Sequence, residues 1–576
     1  MDIMAAIRIV QTTPIPGMKA GTSGLRKKVV EASQANYVEN FTQCVFSVYS
    51  EKENIEGCTM VVGGDGRFYN KQAIQKIFKV AAANKIGRIW VGENGILSTP
   101  SVSIIIRERE DGISKGGLIL TASHNPGGPN GDFGIKFNGE NGSSAVEEIT
   151  NKIYEESLKI ETYKIADLPE IDISTIGSQT FDVEGHPFVV EVISSTEDYI
   201  RKMRSIFDFN KIKILLDRPD FSMVYDCMHG VAGPYVRAIF GDILGVPSGN
   251  LMNSTPLEDF GGGHPDPNLI YAHDLVKVMG VGKDHGIFPS FGAANDGDAD
   301  RNMVLGKQFF VVPSDSVAVI AANYSCIPSF PQGCIGAARS MATSLALNAV
   351  AEKLGFPLFE TPTGWKFFGN LMDAGKINLC GEESFGTSSD HCREKDGIWA
   401  VLCWLSILAH KNEGRAELLS VKDVLSEHWR TYGRNYYIRH DYERCDSDQA
   451  KAFMKSLEEK FPIFEGKADN FSYHDPVDNS TSSNQGLRFI KGNWRVVFRL
   501  SGTDSVGSTV RIYFEKHETE NLEMETEAAL QDVSLLMYIN YLEEKNLMSL
   551  LRIKLIRNYY YLALFCERIF AIVFMI

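Results

Sequence analysis

The chain alternates short apolar runs with glycine-containing turns and helix-like amphipathic segments. The apolar runs at residues 58–62, 88–91 and 223–225 each lead into such a turn. Helix-like segments occupy residues 71–84 and 234–244. Strands that alternate with helices at this spacing predict α/β units built on parallel strands. Because ligands bind at the carboxyl ends of such strands, we expect the chemistry to lie in the glycine-rich turns.

Length, charge and cysteine content limit the class of protein. The 576 residues are enough for three or four globular domains. A net charge of -15 argues against a nucleic-acid or anionic-membrane partner, because either needs a basic face. Ten cysteines without a C-x-x-C pair predict neither a disulfide framework nor a zinc site, and the first residues lack the features of a signal peptide. We therefore expect a cytosolic protein.

Changes in composition predict four domains and an atypical tail. A polar segment before residue 197 and the end of an apolar stretch near residue 323 mark the first two boundaries. A buried helix is expected at residues 399–409, and strands at residues 494–498 and 509–513. The predicted division is 1–197, 198–323, 324–428, 429–545 and an apolar tail at 546–576.

The apolar tail does not have the pattern of a membrane span. Five charged residues divide it: Arg552, Lys554, Arg557, Glu567 and Arg568. The uninterrupted pieces are far shorter than the about 20 residues that a membrane helix needs. We interpret the tail as a packed terminal helix or as a sequence foreign to the natural protein.

Three aspartates alternate in the segment Asn-Asp-Gly-Asp-Ala-Asp-Arg at residues 295–301. In an extended loop this spacing turns the carboxylates of Asp296, Asp298 and Asp300 to one side. Crowded anions repel each other unless a cation compensates, and hard oxygen ligands suit Mg²⁺ or Ca²⁺. The glycine and glutamate that a calcium EF-hand requires are absent, so the remaining interpretations are a Mg²⁺ site open to a phosphate oxygen and a solvated acidic turn.

Two further segments offer groups for a phosphorylated sugar. Residues 499–503, Arg-Leu-Ser-Gly-Thr, supply a guanidinium, two hydroxyls and free backbone N–H groups, and Arg511 is expected on a neighbouring strand. Such a basic, donor-rich pocket is what an acidic protein needs to hold a phosphate. Residues 381–386, Gly-Glu-Glu-Ser-Phe-Gly, place two carboxylates and a hydroxyl at a strand end, where they suit a polyol. Each segment alone is also consistent with a structural turn.

Ser123 follows an apolar run and precedes His124 in a loop rich in Asn, Pro and Gly. A hydrolase elbow has glycine two residues before and after its serine, whereas these positions hold Thr121 and Asn125. The sequence also contains neither a P-loop nor a G-x-G-x-x-G motif. We interpret Ser123 as a carrier of a phosphoryl group, which divides one difficult transfer into two easier ones.

Together these motifs resemble the α-D-phosphohexomutase superfamily, and most closely its eukaryotic-type phosphoglucomutases. The resemblance covers most of the chain, through segments at residues 21–26, 63–69, 121–138, 256–260, 295–301, 361–369, 381–387, 393–397, 499–503 and 511–513. It implies four domains around a central cleft, namely three related mixed-sheet α/β domains and a C-terminal α+β domain of TATA-binding-protein-like fold. It also implies the interconversion of glucose 1-phosphate and glucose 6-phosphate with Mg²⁺, through glucose 1,6-bisphosphate.

The resemblance implies roles residue by residue. Ser123 is the expected phosphoserine and joins Asp296, Asp298 and Asp300 at the metal. The groups expected around the reacting atoms are Arg26, His124, Lys136, Arg301 and Lys395, with either His124 or Lys136 transferring a proton. The expected substrate contacts are Arg301, Thr363, Gly364, Glu382, Ser384 and Lys395, and, for the second phosphate, Arg499, Ser501, Gly502, Thr503 and Arg511.

Departures from the family pattern and rival functions complete the expectations. Ala299 stands where close relatives often carry Gly, and the resemblance fades after about residue 533. Within enzymes, the rivals are phosphomannomutase, phosphopentomutase and glucose 1,6-bisphosphate synthase, and residues 381–386 favour glucose. Outside enzymes, the rival is an exocytic or cytoskeletal scaffold, against which the presence of Ser123 and all three aspartates argues. A monomer or weak dimer is expected.

Overall fold

The structure, a computed structural model, describes residues 4–21, 24–501 and 508–537. The predicted tail at 546–576 lies outside these residues. Four main sheets follow one another along the described chain, and each is accompanied by helices. This is the four-domain α/β architecture that the resemblance implies.

The first sheet has eight strands of mixed direction. In spatial order they are Met4–Ala5, Gly177–Val183, His186–Ile193, Arg88–Ile96, Thr59–Gly64, Ser114–Leu120, Asp132–Gly139 and Leu25–Lys28. Four central strands run parallel, and the strand that borders them on each side is antiparallel. At one edge Met4–Ala5 pairs with Gly177–Val183 in parallel, and at the other Leu25–Lys28 pairs with Asp132–Gly139 in antiparallel. A separate antiparallel pair joins Ile7–Gln11 to Thr162–Ala166.

Helices cover both faces of this first sheet. Three of them pack on one face, namely Tyr37–Lys52, Asn70–Ala83 and Glu147–Ser157. Thr99–Glu108 packs on the other face. Adjacent side chains of a strand point to opposite faces, so Val61 contacts the single helix while Val62 packs with the group of three.

The second and third sheets are smaller and also mixed. The second contains Leu251–Met252, Met223–Asp226, Phe291–Asn295, Asn302–Gly306 and Phe309–Phe310. Its helices are Glu197–Ile206, Phe209–Leu216, Ala232–Val236 with the π-helical continuation Arg237–Ile243, and His273–Met279. The third contains Leu358–Thr361, Ala337–Ser340, Leu379–Gly381 and Thr387–Ser389. Its helices are Pro313–Ala322, Ala346–Leu354, Lys366–Asp373, Gly397–Lys411 and Val421–Tyr432.

The helix Gly397–Lys411 joins the second and third sheets through one continuous hydrophobic core. Its first twelve residues are buried, as expected from the apolar run at residues 399–409. The helix begins at Asp396, whose Oδ1 accepts a hydrogen bond from the Trp399 N–H at 3.0 Å. Because the helix starts here, Lys395, which precedes Asp396, lies next to the ends of strands from the second and the third sheets.

The helix Pro313–Ala322 ends directly before the predicted domain boundary at residue 323. That boundary assigns the helix to the second domain, but the helix packs against Ala346–Leu354 and the strand Leu379–Gly381 of the third sheet. Its side chains are apolar and buried nearly all round, so the sequence carries no indication of which sheet it contacts. The helix therefore packs with the third sheet.

The fourth sheet is wholly antiparallel. Its order is Arg434–Cys445, Ser508–Glu518, Trp494–Ser501, Leu487–Lys491 and Lys467–Asn470. The helices Ser447–Glu458 and Thr526–Met537 share one hydrophobic core with one face of the sheet, as an α+β domain requires. The strands expected at residues 494–498 and 509–513 are thus confirmed as adjacent partners. The opposite face carries Arg499 and Arg511, and it also packs against Met341 and Phe367 of the third domain through Val497 and Tyr513.

Two expectations about chemistry and membranes can be compared with the fold. Nine cysteines fall within the described residues, and none of these nine forms a disulfide. Among the helices of the described ranges, none has the length and apolarity to cross a membrane.

Candidate active site

A cleft of about 580 Å³ is lined by residues from all four domains. The expected site residues that line it are Arg26, His124, Lys136, Asp298, Asp300, Arg301, Thr363, Gly364, Glu382, Ser384, Lys395, Ser501 and Arg511. Ser123 and Asp296 are buried beside it, 2% and 0% exposed. Arg499 is not among the lining residues, and Gly502 and Thr503 lie outside the described residues. Side chains separated by hundreds of residues in sequence therefore converge on one cavity.

The turn after strand Ser114–Leu120 presents Ser123 in the left-handed backbone region, with φ 53°. The Ser123 N–H donates to Thr121 Oγ1 at 2.7 Å. The Ser123 hydroxyl donates to Asp296 Oδ2 at 2.9 Å and lies 3.3 Å from His124 Nδ1. A non-glycine residue in a sparsely populated backbone region costs about 1–3 kcal/mol, so neighbouring contacts must hold the turn.

A buried ion pair between Asp65 and Arg67 supplies those contacts. Arg67 Nη2 lies 2.9 Å from Asp65 Oδ2 and donates to the carbonyl oxygen of Ser123 at 2.8 Å. Asp65 Oδ2 also accepts from Thr121 Oγ1 at 2.6 Å. Neither charged residue has a role in the sequence-based prediction, although both belong to the quoted segment 63–69. The sequence signal that could have indicated this ion pair is two opposite charges, two residues apart, in a glycine-rich turn after a buried strand.

The aspartates of residues 295–301 lie in a turn, and the prediction of an extended loop is wrong. Ala299 has φ 62°, and its N–H donates to the Asp296 carbonyl oxygen at 3.1 Å. Alternation along an extended chain is thus not what brings the three carboxylates together. The turn nevertheless brings one oxygen each of Asp296, Asp298 and Asp300 within 4.8 Å of one another.

The surroundings of these carboxylates fit a hard divalent cation. Burial first, and then the charges of Asp298 and Asp300, raise the pKa of Asp296 well above its usual value. Asp298 Oδ2 accepts from Thr99 Oγ1 at 2.7 Å, and Asp296 Oδ1 accepts from the Arg301 N–H at 3.0 Å. The other oxygens of Asp298 and Asp300, both Oδ1, have no hydrogen-bond donor among the residues that the structure describes. Converging, buried and partly unsatisfied carboxylate oxygens are the ligands that Mg²⁺ or Ca²⁺ prefers.

Positive groups surround the carboxylates on the cleft side. Lys395 Nζ lies 3.1 Å from Asp300 Oδ2. Burial lowers the pKa of Lys395, but Asp300 and other nearby acids outweigh this effect and raise it. Burial lowers the pKa of Arg26, whose Nε has no hydrogen-bond partner within the described ranges. Lys395 therefore compensates the aspartates, while Arg26 is free to bind an anion.

The surroundings of His124 favour its neutral form. Burial first, then the positive charges of Arg301 and Arg26, lower the pKa of His124 well below 6.5. Because its Nδ1 lies 3.3 Å from Ser123 Oγ, a neutral imidazole there can accept the proton of the hydroxyl.

Lys136 is held by Glu394, a residue of the quoted segment 393–397 that has no role in the sequence-based prediction. The Lys136 Nζ to Glu394 Oε1 distance is 2.6 Å, and both side chains are buried. The same oxygen accepts from Asn138 Nδ2 at 2.7 Å and Ser144 Oγ at 3.2 Å. No sequence signal connects these residues, because Glu394 follows Lys136 by 258 positions in another domain.

The opposite wall offers polar groups for a polyol. Burial and the adjacent Glu383 raise the pKa of Glu382, and its Oε1 accepts from the Gly364 N–H at 3.3 Å. Thr363 Oγ1 is buried and lacks a hydrogen-bond partner in the described part of the chain. Ser384 lines the cleft beside them. Unsatisfied hydroxyl and carboxylate groups in a cleft suit the hydroxyls of a sugar.

The fourth sheet contributes a cationic end of the cleft. Arg511 lies on the strand next to that of Arg499 and Ser501, as expected from the sequence. Arg511 Nε is 3.6 Å from Asp441 Oδ2 on the strand at its other side. Arg499 Nη1 donates to the Tyr513 hydroxyl at 3.2 Å. The guanidinium of Arg511 at the cleft, with Arg499 on the neighbouring strand, suits a phosphate.

The arrangement as a whole suits phosphoryl transfer. It combines a held hydroxyl, a neutral imidazole, a cation site, several positive side chains and two separate polar walls. Phosphoryl transfer depends mainly on such positioning and charge stabilisation. The imidazole, the serine and the metal-type carboxylates meet at one end of the cleft, so transfer is expected there.

Comparison with known families agrees with this chemistry. Sequence models of the phosphoglucomutase/phosphomannomutase alpha/beta/alpha domains I, II and III match residues 17–164, 197–308 and 313–432. The model of the phosphoglucomutase-1 C-terminal domain matches residues 434–543. Together these matches cover most of the chain.

Individual relatives are similar over nearly their whole length. The chain is 56% identical over 543 residues to the probable phosphoglucomutase, cytoplasmic 2, of Arabidopsis thaliana, a match over 89% of this chain and 93% of that protein. It is 56% identical over 537 residues to the cytoplasmic phosphoglucomutase of Pisum sativum, over 89% and 92%. These names agree with the expected cytosolic location. The solved open form of the Paramecium exocytosis-sensitive phosphoprotein pp63/parafusin, a phosphoglucomutase, superposes with a TM-score of 0.89 at 52% identity, over 93% and 97%.

Proposed function

The chain belongs to the phosphoglucomutase/phosphomannomutase family, and we propose that it interconverts glucose 1-phosphate and glucose 6-phosphate through a phosphoserine at Ser123. The enzyme is an isomerase that acts on sugar phosphates. The observation that carries the proposal is the 2.9 Å distance from the Ser123 hydroxyl to Asp296 Oδ2, at the floor of a cleft lined by all four domains.

In the proposed cycle, phosphoserine 123 transfers its phosphoryl group to O6 of glucose 1-phosphate. The bond from phosphorus to Ser123 Oγ breaks, a bond to O6 forms, and the O6 proton leaves as Oγ gains one. Glucose 1,6-bisphosphate then turns round in the cleft. Ser123 Oγ takes the phosphoryl group from O1, its proton leaves, O1 gains a proton, and glucose 6-phosphate is released with the phosphoserine restored.

We propose that His124 accepts the proton that leaves Ser123 Oγ and returns it when Oγ is released. Its Nδ1 lies 3.3 Å from the hydroxyl oxygen, and its low pKa keeps the imidazole ready to accept a proton at pH 7. Lys136, which is ion-paired to Glu394 at 2.6 Å, is better suited to stabilise negative charge than to act as a base. Arg26, Arg301 and Lys395 line the same end of the cleft and would surround the transferred group.

Asp296, Asp298 and Asp300 would hold Mg²⁺, joined by an oxygen of phosphoserine 123. Bound there, the ion would stabilise negative charge on the phosphoryl oxygens. The two unsatisfied Oδ1 atoms and the 4.8 Å convergence support this assignment. The contact from Thr99 orients Asp298 for the same purpose.

The two remaining parts of the cleft would hold the two ends of the sugar phosphate. Glu382 and Ser384, with Thr363 and Gly364, would bind the sugar hydroxyls. Arg499, Ser501 and Arg511, with Gly502 and Thr503, would bind the phosphate that is not transferred. The phosphate contacts of the fourth domain are separate from the reacting end at Ser123. This separation suits a reaction in which the phosphate at O1 and the phosphate at O6 must each be bound there in turn.

Mass measurement of the purified protein tests the covalent step. We expect one phosphate, located on Ser123 by peptide analysis, and mutase activity with Mg²⁺ and glucose 1,6-bisphosphate. Ser123→Ala should lose both the phosphate and the activity. An unphosphorylated wild type that stays inactive with the primer would refute the proposal, and a clear preference for mannose or ribose phosphates over glucose 1-phosphate would refute the proposed substrate.

A further inference from the structure

The segment of residues 390–396 carries two charged side chains into the cleft. It joins the strand Thr387–Ser389 to the helix Gly397–Lys411. Glu394 in this segment binds Lys136 at 2.6 Å, and Lys395 binds Asp300 at 3.1 Å. Its conformation therefore decides the positions of two groups next to the proposed reacting atoms.

A buried histidine closes the base of this segment. His391 Nδ1 lies 2.6 Å from Ser389 Oγ, and His391 Nε2 lies 2.9 Å from Asp396 Oδ2. The side chains of His391 and Asp396 are 2% and 0% exposed. The imidazole also stacks on Trp399, with ring centroids 5.4 Å apart. One ring thus ties the end of the strand to the start of the helix.

The partners of His391 are themselves fixed. Asp396 Oδ1 accepts from the Tyr199 hydroxyl at 2.7 Å and from the Trp399 N–H at 3.0 Å. The Asp396 N–H donates to the Thr387 carbonyl oxygen at 3.1 Å. The Asp396 end of the imidazole contact is therefore tied to Tyr199, to the start of the helix Gly397–Lys411 and to the strand Thr387–Ser389.

The surroundings of His391 favour its protonated form and so an ion pair with Asp396. Burial lowers the pKa of His391, but neighbouring Cys392 and the Asp396 carboxylate outweigh burial and raise the pKa to about 9. A buried charged pair in which both imidazole nitrogens are hydrogen-bonded has a narrow range of allowed geometries. Small residues or neutral amides in place of His391 would not reproduce it.

A second anchor lies in the middle of the segment. Arg393 Nε donates to Asp373 Oδ1 at 2.6 Å, and the Arg393 N–H donates to Ser103 Oγ at 2.9 Å. Loss of the contact at the base would therefore leave the segment attached at its middle. Asp396 keeps its bonds to Tyr199, Trp399 and Thr387, but its Oδ2 loses its partner. The expected consequence is that the Asp396 carboxylate reorients and shifts the adjoining Lys395, while the domain stays folded.

We propose that His391 is a positioning residue of this enzyme, whose contacts with Asp396 and Ser389 hold Lys395 and Glu394 at their distances from Asp300 and Lys136. The inference rests on the proposed function, because it concerns the rate of that reaction. Within the part of the chain that the structure describes, the side-chain contacts of His391 are with Ser389, Asp396 and Trp399, so we expect its effect to act through the two charged side chains of the segment.

The test compares His391→Gln with His428→Gln, which alters another buried histidine of the same domain. His428 lies in the helix Val421–Tyr432, contacts the ring of Tyr432 in a tilted arrangement with ring centroids 4.8 Å apart, and is not among the residues that line the cleft. Misplacing a group by about 1 Å can cost up to about 100-fold in rate, so we expect His391→Gln to lower kcat at least about 10-fold with KM changed less than about 3-fold. His428→Gln should keep the kcat of the wild type, even if it lowers the thermal stability as much as His391→Gln does or more.

Each other outcome contradicts a specific claim. A kcat of His391→Gln within twofold of wild type, or an equal loss of kcat in His428→Gln, would overturn the inference about His391 alone. An inactive, unphosphorylated wild type in the same series would overturn the proposed function and this inference with it. If His391→Gln does not fold, Ser389→Ala removes one contact of the imidazole, and an unchanged kcat in that variant would overturn the inference.

Discussion

Arg499 and Arg511 are direct partners on two adjacent antiparallel strands, so their guanidinium groups start from the same face of the fourth sheet. Like charges at opposed positions of a sheet destabilise it. Asp441, the partner of Arg511 on the other side, lies 3.6 Å from Arg511 Nε and compensates only part of the charge. The charges of Glu383 and Glu382 also act on Arg499, and the position of Arg511 at the cleft supports the proposed phosphate contact there.

Replacing Arg511 should separate substrate binding from the covalent step. Arg511→Ala removes one guanidinium from the proposed phosphate clamp, and we expect kcat/KM for glucose 1-phosphate to fall by about 100-fold, since a charge-assisted hydrogen bond is worth about 1.5–3 kcal/mol. The phosphate content of Ser123 should stay unchanged, because that residue lies in the first domain. Lys491→Ala, in an outer strand of the same sheet, is the control and should be near wild type. An unaltered kcat/KM in Arg511→Ala would contradict the clamp.

The support of the serine turn can be tested at Arg67. Arg67→Met leaves Asp65 buried without its partner, and removing one member of a buried ion pair costs about 3–5 kcal/mol. We expect a lower midpoint of thermal unfolding and a lower kcat, because the Ser123 carbonyl oxygen loses its donor. The double variant Asp65→Asn/Arg67→Met should recover part of the thermal loss. Arg8→Met, which breaks an exposed pair of the same domain, should change both quantities little, and a similar effect there would contradict the prediction.

The orientation of Asp298 should depend on a single hydroxyl. Thr99→Val removes the donor to Asp298 Oδ2 without changing the shape of the side chain, and loss of a partner that orients a metal ligand costs about 10–100-fold in metal affinity or activity. We expect the Mg²⁺ concentration for half-maximal activity of EDTA-treated enzyme to rise by that factor. Thr99→Ser keeps the hydroxyl and should behave as wild type. Equal Mg²⁺ dependence of the valine and serine variants would show that this contact does not serve the metal.

The buried Asp315 should make stability depend on pH. Burial raises its pKa to about 6, although the Trp429 indole N–H donates to Oδ2 at 3.1 Å and acts in the opposite direction. An unfolded aspartate has a pKa of about 3.9, so the folded form binds the proton more tightly. The contribution of this protonated group to stability is complete below about pH 4 and is lost as pH rises through about 6.

Asp315→Asn therefore should stabilise the protein more at high pH than at low pH. The amide stays neutral, and we expect a gain over wild type of about 1–3 kcal/mol above pH 6 that shrinks towards pH 4. Thermal unfolding of both proteins at pH 5 and pH 8 measures the difference. Asp284→Asn, at an exposed position, should show no such dependence on pH. A gain that is equal at both pH values would contradict the assignment.

Parts of the fold and site were predictable because their signals are local. The strands that carry Arg499 and Arg511 read as strands from residues 494–498 and 509–513, and the glycine-rich turns indicated where the chemistry lies. The convergence of Asp296 with its two neighbours was expected, but not the turn that produces it. A left-handed backbone at Ala299 leaves no trace in the spacing of the aspartates.

The remainder depends on contacts between distant parts of the chain. The partner of Lys136 is Glu394, and a charge 258 positions away in another domain cannot be identified from periodicity or motif. The helix Pro313–Ala322 is apolar nearly all round, so its sequence does not say which sheet it packs against. In both cases tertiary packing decides, and the local pattern is silent.

The cleft draws on side chains from Arg26 to Arg511, and this has a consequence during synthesis. Domains of a long chain generally fold in order from the N-terminus while translation continues. A growing chain would already contain Ser123 and the three aspartates before the ribosome has made the strands that carry the proposed phosphate contacts. Turnover can begin only when nearly the whole message has been read, so the appearance of activity reports completed translation and assembly of the fourth domain together.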